Sequence, residues 1–506
     1  MISYLQDTFT MTSPLSIKKL LSFTGTLFFL ALKLLIVISI STHSSGSPLT
    51  PKSPINTKDC IKINHIDINP QNIYDEKKRL NLIESTLNFF HYTTRISTIQ
   101  DELLFKQGEC FDQALLEETE RNLRATNIFS YAYVTSAVNG GQRDVTITTT
   151  DRFTLRLEAS AGITGKSTKT RLSFGEQNFL GLNKNLNYTT INESNKKRKT
   201  RIAFASPRTF HKYALNALYV TSDNNALQRY TVTKPFNALA DRHQYLISYF
   251  KDDTDSTFVI PNQNNINIPQ LTEYETLGYQ WELGSAKNSR RLGLSLSNSE
   301  TAYFPMKATV VVPSSVYIPP PTKTVDITTS LAWRDRYKFK VMRGIDSLIS
   351  DEDIELQQSA NAGLGLQLRD EKGTSHLHNT LFLGYGGANF PTKSLLTSYQ
   401  INTGSRYFAG QLREVNINAF FHSYYFRSAV QSYVSSIAYR YAYSRDELNL
   451  PISIGADVGL RGHQIDSITG NKSIIINLEH RYKYPYQNRY FAIGQTFFID
   501  AGYAWQ

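Results

Sequence analysis

From Arg152 onward, apolar and polar residues alternate. Phe153, Leu155, Leu157, Ala159 and Ala161 take one side of a period-two pattern, and Thr154, Arg156, Glu158 and Ser160 take the other. In an extended strand these two sets lie on opposite faces. The pattern recurs at Leu186, Tyr188 and Thr190, at Ile202 and Phe204, and at Leu215, Ala217 and Tyr219. Further alternating segments run over Arg171 to Phe179, Tyr230 to Phe236, Tyr274 to Leu283, Arg291 to Ser299, Val325 to Lys338 and Leu356 to Arg369. Others cover Asn379 to Phe390, Arg413 to Tyr425, Gln431 to Ala442 and Ser473 to Tyr484. Segments of about ten residues with turn residues between them match tilted membrane-spanning strands. A soluble β-sandwich gives a similar pattern with fewer strands. Asn, Pro and Asp clusters within Asp252 to Tyr274 and Thr301 to Thr324 predict loops.

Before Arg152 the pattern is different. Ile61, Ile63, Ile66 and Ile68 predict a short strand with a slip in its alternation. Leu80 to Tyr92 and Thr98 to Phe105 read as helices. Phe111 to Asn127 is the clearest helix: Asp112 can cap it, and Leu115, Leu116, Thr119 and Leu123 share one face. Glu117, Glu118, Glu120, Arg121 and Arg124 fall mostly on the other face. Two strands follow, Tyr131 to Val138 and Asp144 to Thr150, joined by the turn signal Asn139-Gly140-Gly141. The reading is a small α+β domain over 60–150 and a mainly β region over 151–506.

Lys18 and Lys19 precede an apolar run from Leu20 to Ile40, interrupted by Lys33. This predicts a secretory signal over 1–45, with a retained anchor as the alternative, and a Ser/Pro-rich linker over 46–59. The mean hydropathy of −0.33 argues against a helical membrane bundle. It leaves a membrane barrel open, because only alternate strand residues face lipid. The formal net charge of +11 raises the question of nucleic acid, but no basic helix or aromatic–basic stacking platform accompanies it. The run Lys196-Lys197-Arg198-Lys199 reads as a solvated loop. Cys60 and Cys110 can bridge in an oxidising compartment, or stay as free thiols.

Near the end of the chain lies Leu460-Arg461-Gly462-His463, within a glycine-spaced stretch from Pro451 to Lys472. In the following segment Ile474, Ile476 and Leu478 point one way, and Asn477, Glu479 and Arg481 the other. Phe498-Ile499-Asp500-Ala501-Gly502 then places Asp500 on a face with Gly494, Thr496, Phe498 and Gly502, opposite Phe491, Ile493, Phe497 and Ile499. The order Arg-Gly loop, alternating strand, Phe-x-Asp-x-Gly strand resembles the Omp85 superfamily of outer-membrane assembly and translocation barrels. Glu102 to Glu109, Glu120 to Arg124 and the strand near Phe129 resemble a POTRA (polypeptide-transport-associated) domain of that family. Asn178-Phe179-Leu180-Gly181 and Lys234-Pro235-Phe236 resemble its early barrel turns.

The resemblance implies a transmembrane antiparallel β-barrel preceded by one periplasmic POTRA-like domain, in the bacterial outer membrane. It implies that Arg461 meets Asp500 on the inner wall, with Glu479 and Arg481 beside it. Arg461 then either pins the loop alone or also supports transport. His463 replaces the aromatic residue usual in the family. Unfolded outer-membrane or secreted polypeptides are the implied clients, outer-membrane lipid the surroundings, and periplasmic or lipoprotein subunits compatible accessories. A POTRA edge can take an extended chain by strand addition, or the domain can be a spacer. About three further strands follow the Phe-x-Asp-x-Gly strand in the family, so an open or strained seam is expected where the last strand meets the first.

HExxH, CxxC and Gly-x-Ser-x-Gly are absent from the sequence, so no enzyme activity and no cofactor are expected. His376 and His378 share a strand face but lack a third ligand, and read as surface residues. Gly384-Tyr385-Gly386-Gly387 lacks the Lys-Ser/Thr of a phosphate loop. The implied function is insertion of barrel proteins into the outer membrane or translocation of polypeptide across it. The alternative is a passive pore.

Overall fold

The computed structural model describes residues 60–506, apart from 165–166, 195–197, 210–212, 223–224, 239, 259–265, 286, 306–317, 343, 346–351, 372, 445–451, 456–457, 464–467 and 488–491. The expected signal segment and linker, Lys196, Lys197, Pro451 and Phe491 lie outside the described residues.

The N-terminal elements are β1 (Ile63–Gln71), α1 (Leu82–Phe89), α2 (Ile96–Gln100), α3 (Gln113–Ala125), β2 (Phe129–Asn139) and β3 (Gln142–Asp151). β3 is central, parallel to β1 and antiparallel to β2. The slip in the first strand is a register shift between Ile63 and His65. The β2–β3 turn places Gly140 and Gly141 at φ +57° and +82°, where a side chain would be strained. The helices pack on one face of the sheet around Ile63, Ile99, Phe105, Leu116, Leu123 and Ile147, all buried. Asp112 caps α3 by accepting the Ala114 N–H. Glu118 is buried with Leu116 and Thr119 rather than exposed, because it sits at the margin of the core-facing stripe. α2 stops at Gln100, short of Phe105, which turns into the core. Cys60 and Cys110 are bridged, tying the start of β1 to the loop before α3.

The rest is one barrel. Its wall strands are β4 (Leu155–Thr164), β5 (Ser167–Glu176), β6 (Asn185–Glu193), β7 (Lys199–Thr209), β8 (Tyr213–Ser222) and β9 (Asn225–Lys234). They continue with β10 (His243–Phe258), β11 (Ile266–Glu282), β12 (Asn288–Tyr303), β13 (Thr322–Met342), β14 (Glu352–Glu371) and β15 (Thr374–Thr392). Next come β16 (Leu395–Phe408), β17 (Gln411–Phe426) and β18 (Gln431–Ser444). A short ribbon, β19 (Ile452–Ile454) and β20 (Ile468–Gly470), stands inside the next connection, and β21 (Lys472–Gln487) and β22 (Ala492–Trp505) complete the wall. Among the described residues, seventeen strands form a closed order, each antiparallel to the next from β4 to β22. The order closes with β22 beside β4, but these two strands lack the long ladder that joins every other neighbouring pair of the wall, so the expected weak seam lies here. With an odd number of strands these two run in the same direction.

The faces separate as the alternation predicts. Leu157 lies opposite Phe174, Phe174 opposite Tyr188, Tyr188 opposite Ile202 and Ile202 opposite Tyr219, all exposed. A continuous row of exposed apolar side chains around a barrel marks its lipid face. His243, Tyr245, Tyr279 and Trp281 cluster at one rim of that face, as interfacial aromatics do.

Two expectations are corrected. β10 and β11 continue through much of the stretch from Asp252 to Tyr274 that read as loop. A ladder satisfies backbone groups whatever the side chains, so strands run past the apolar band into polar sequence. His378 is buried, 2.8 Å from an Arg406 nitrogen and stacked on Phe408, so it is not a surface residue. Gly384 to Gly387 lie within β15.

Candidate functional site

β3 leads directly into β4, so the small domain marks one end of the barrel and the β18–β21 connection lies at the other. That connection folds back into the lumen. The Val458 and Leu460 N–H groups both donate to the Gly455 carbonyl, at 3.2 and 3.0 Å, which makes a tight turn. Gly459 supplies the φ of +107° that the turn needs. Leu460 is 1% exposed and packs with Ile454, Ile475 and Ala504. Across from it a Cβ on Gly502 would lie 2.7 Å from Leu460 Cδ1. Gly502 is therefore the space that Leu460 fills.

Burying Leu460 delivers Arg461 to the wall. Its Nη2 and Nε donate to Asp500 Oδ1 and Oδ2 at 2.6 and 2.8 Å, and its backbone N–H adds a third bond to Oδ2 at 3.0 Å. Nη1 donates to Glu479 Oε1 at 2.7 Å. The guanidinium carbon stands 3.8 Å from the Phe498 ring centroid. A planar fork is the side chain that can bond one carboxylate through two nitrogens while lying on a ring. Gly462 (φ +90°) turns the chain, and the His463 N–H closes on the Leu460 carbonyl at 3.1 Å. His463 is exposed.

The wall completes the arrangement. Asn477, opposite Asp500 in the ladder, donates to Asp500 Oδ1 at 2.7 Å and to the Gly459 carbonyl at 2.6 Å. Arg481 donates to Glu479 Oε2 at 2.8 Å and to the Ile345 carbonyl at 2.7 Å. Two cations and two carboxylates thus balance. Asp500 and Glu479 side chains are 4% and 15% exposed and Arg461 is 37% exposed, so the anions are the hidden partners. Asn477 lies five residues below the start of β21, so the loop reaches roughly 16 Å along the wall.

A second set of contacts fixes the small domain under the opposite rim. Thr94 and His91 bond the Asp151 carboxylate, and Asn178 Nδ2 donates to Thr94 Oγ1 at 2.8 Å. The Arg95 N–H and the Thr98 hydroxyl donate to the Gly181 carbonyl at 3.0 and 2.8 Å. Gly181 has φ +72°, and a Cβ there would meet the Thr93 carbonyl at 2.5 Å. The Asn-Phe-Leu-Gly turn is thus a docking surface. Arg208 pairs with buried Glu102 at 2.7 Å. Arg124 on α3 bonds Asp353 through two nitrogens at 2.8 and 3.0 Å, and Arg121 lies over Phe339. Glu120 joins this group by pairing with Arg124 and accepting the Val134 N–H of β2 at 2.9 Å.

Sequence reasoning put Asn477 on the inner face but gave it no bond to Asp500 or to the loop. It also passed over the pairs Arg124–Asp353 and Glu102–Arg208. These join residues 229 and 106 positions apart, and no local signal announces them.

No protein-family model and no curated protein matches the sequence. Among solved structures, the chain is similar to BamA from Haemophilus ducreyi lacking POTRA domains 1–3, at 12% identity and a TM-score of 0.33, over 88% of this chain and 85% of that one. It is similar to CdiB from Acinetobacter baumannii at 10% identity and 0.36, over 88% and 74%. For CdiB from Escherichia coli the values are 8% and 0.36, over 95% and 98%. The likeness to these structures covers most of the chain.

Proposed function

We propose that the chain is an outer-membrane barrel that inserts barrel proteins into the membrane or carries polypeptide across it, with its small domain in the periplasm. The observation that carries this is the lumenal lock. A loop from the far rim is held deep on the inner wall by Arg461, Asp500 and Glu479, in a barrel with an apolar outside and a small α+β domain clasped beneath it. A passive pore has no need of that clasp.

In this reading β2 is the receiving edge. It lies at the margin of the three-stranded sheet and presents the exposed, stacked pair Tyr131 and Tyr133. An extended client can add to that edge through backbone hydrogen bonds that ignore its sequence. It would then compete with Glu120 for the Val134 N–H. The lumenal loop, held by non-covalent contacts alone, keeps the barrel in one state while remaining releasable. Accessory periplasmic or lipoprotein subunits fit the same scheme.

The test uses the full chain in proteoliposomes. Folding or protected transfer of an unfolded outer-membrane polypeptide is expected, and Arg461→Ala should leave export of the chain intact while reducing that activity. Small-solute swelling without any effect on the polypeptide would make the chain a passive pore, and wild-type activity of the Arg461→Ala protein would remove the lock from the mechanism.

A further inference from the structure

We infer that the lumenal wall of β4–β9 is a track for an acidic stretch of extended polypeptide. This rests on the polypeptide-handling reading above and names the chemistry of what is handled. Arg156 of β4, Arg171 of β5, Arg201 of β7 and Arg229 of β9 line one recess of about 470 Å³. Each is the strand neighbour of an outward apolar residue, Leu157, Leu172, Ile202 and Tyr230 respectively, so the four share the inner face.

The quartet differs from the arginines that lock the loop, clasp the small domain or pair at the rim. Arg124, Arg208, Arg291, Arg461 and Arg481 each hold a carboxylate within 3.0 Å. In the recess Glu158 is the one carboxylate among the lining residues, and it reaches Arg171 at 3.7 Å with both side chains exposed. Among the described residues, the side chains of Arg156 and Arg201 have no hydrogen bond and no ion pair. Arg229 lies over the Phe250 ring at 5.1 Å, a contact that uses the guanidinium face and leaves its N–H edge for a ligand. Four cations against one anion leave a net charge of +3 on a low-dielectric wall, which focuses the field into the lumen.

The ladder gives the track its length. Arg156 faces Gly175, Gly175 faces Asn187, Asn187 faces Ala203, Ala203 faces Leu218, and Leu218 faces Arg229. Five inter-strand steps of about 4.8 Å make roughly 24 Å of wall, the length of about seven extended residues. Gly175, Asn187, Ala203 and Leu218 form a floor between the terminal arginines, and Arg201 stands two residues before Ala203 on the same face. Guanidinium forks suit carboxylates. The strand wall separates the recess from the bilayer, so lipid headgroups do not reach it.

The test is binding of a fluorescent peptide of alternating Glu and Ser to the full chain in nanodiscs, read by anisotropy. The comparison is a variant carrying Arg156→Gln, Arg201→Gln and Arg229→Gln, with its barrel checked by heat-modifiable gel mobility. The acidic peptide should bind, weaken with salt, and weaken about tenfold in the triple variant. Gln/Ser and Lys/Ser peptides should not bind. Equal binding of the Gln/Ser peptide, or unchanged affinity in the variant, would overturn the inference. So would displacement by inorganic phosphate at matched charge, which would mark a small-anion site, or equal binding of a short oligonucleotide, which would mark a general polyanion site. If proteoliposome activity is present and the acidic peptide is ignored, this inference alone fails. If the peptide binds the quartet and no client is handled, the functional reading fails instead.

Discussion

At the scale of single residues, Leu460 and Gly502 decide whether Arg461 reaches its partners. Gly502→Ala places a methyl 2.7 Å from Leu460 Cδ1, so the loop tip must move. Cysteine-accessibility labelling at the tip should rise in Gly502→Ala and fall back when Leu460→Ala is added. Removing Arg461 and removing Asp500 should not cost the same. Arg461→Ala leaves a carboxylate that is 4% exposed with only Asn477 and a backbone N–H to hold it, so its loss should be the larger. Asp500→Asn leaves Arg461 with Glu479 and with water, so its loss should be smaller. Unfolding of both variants and of the double mutant by denaturant, followed by gel mobility, measures the difference. The pairing of Arg461 with Asp500 entered the sequence reading through family resemblance, while strand parity alone put Asp500 on the inner face. Asn477 shows what parity leaves out: it is visible as inward-facing, but its two bonds depend on where the loop comes to rest.

At the scale of elements, α3 was legible because its apolar residues recur at helical spacing. Glu118 escaped that reading because a core-facing stripe is wider than the residues that define it. The strands were legible as faces but not as lengths. β13 and β14 run to 21 and 20 residues, about twice what a bilayer crossing requires, and hydropathy has no voice beyond the lipid band. The disulfide closes a separation of 50 residues around β1, α1 and α2. Loop-closure entropy alone gives it about 4 kcal/mol. Reduction, or Cys60→Ser with Cys110→Ser, should therefore lower the stability of the small domain while leaving barrel gel mobility unchanged. Equal hydrogen-exchange protection of β1 with and without the bridge would contradict this.

At the scale of the whole molecule, the small domain is held by charge. Arg124 and Asp353 are each less than one-fifth exposed, so Arg124→Ala leaves a mostly buried carboxylate at the barrel rim. Limited proteolysis near Arg152 should speed up in that variant and in Asp353→Ala, with no further gain in the double mutant. The Ile345 carbonyl, in the same β13–β14 turn, receives Arg481, which holds Glu479, which holds Arg461. Disturbance of the clasp should therefore be measurable at the loop tip by the same labelling. The Glu102–Arg208 contact adds a pH signature. Burial raises the Glu102 carboxyl above its ordinary value, and the Arg208 guanidinium pulls it partly back. A raised folded-state value means that the protonated form is favoured on folding. Its contribution to stability is full below the ordinary glutamate range and is lost as pH rises through the raised value. Domain stability measured from acid to neutral pH should carry that slope, and Glu102→Gln should remove it.

The amino-acid order by itself determined which residues face lipid and which face the lumen, where the α+β domain gives way to strands, and that Asp500 belongs inside. Each of these follows from a periodicity of two or 3.6 residues, a property of the local backbone. Only the tertiary structure decided that seventeen strands close with β22 along β4, that His378 is buried, and that Arg124 finds Asp353. Those outcomes depend on which distant segments become neighbours. Barrel closure and packing set that, and no single stretch of chain encodes it.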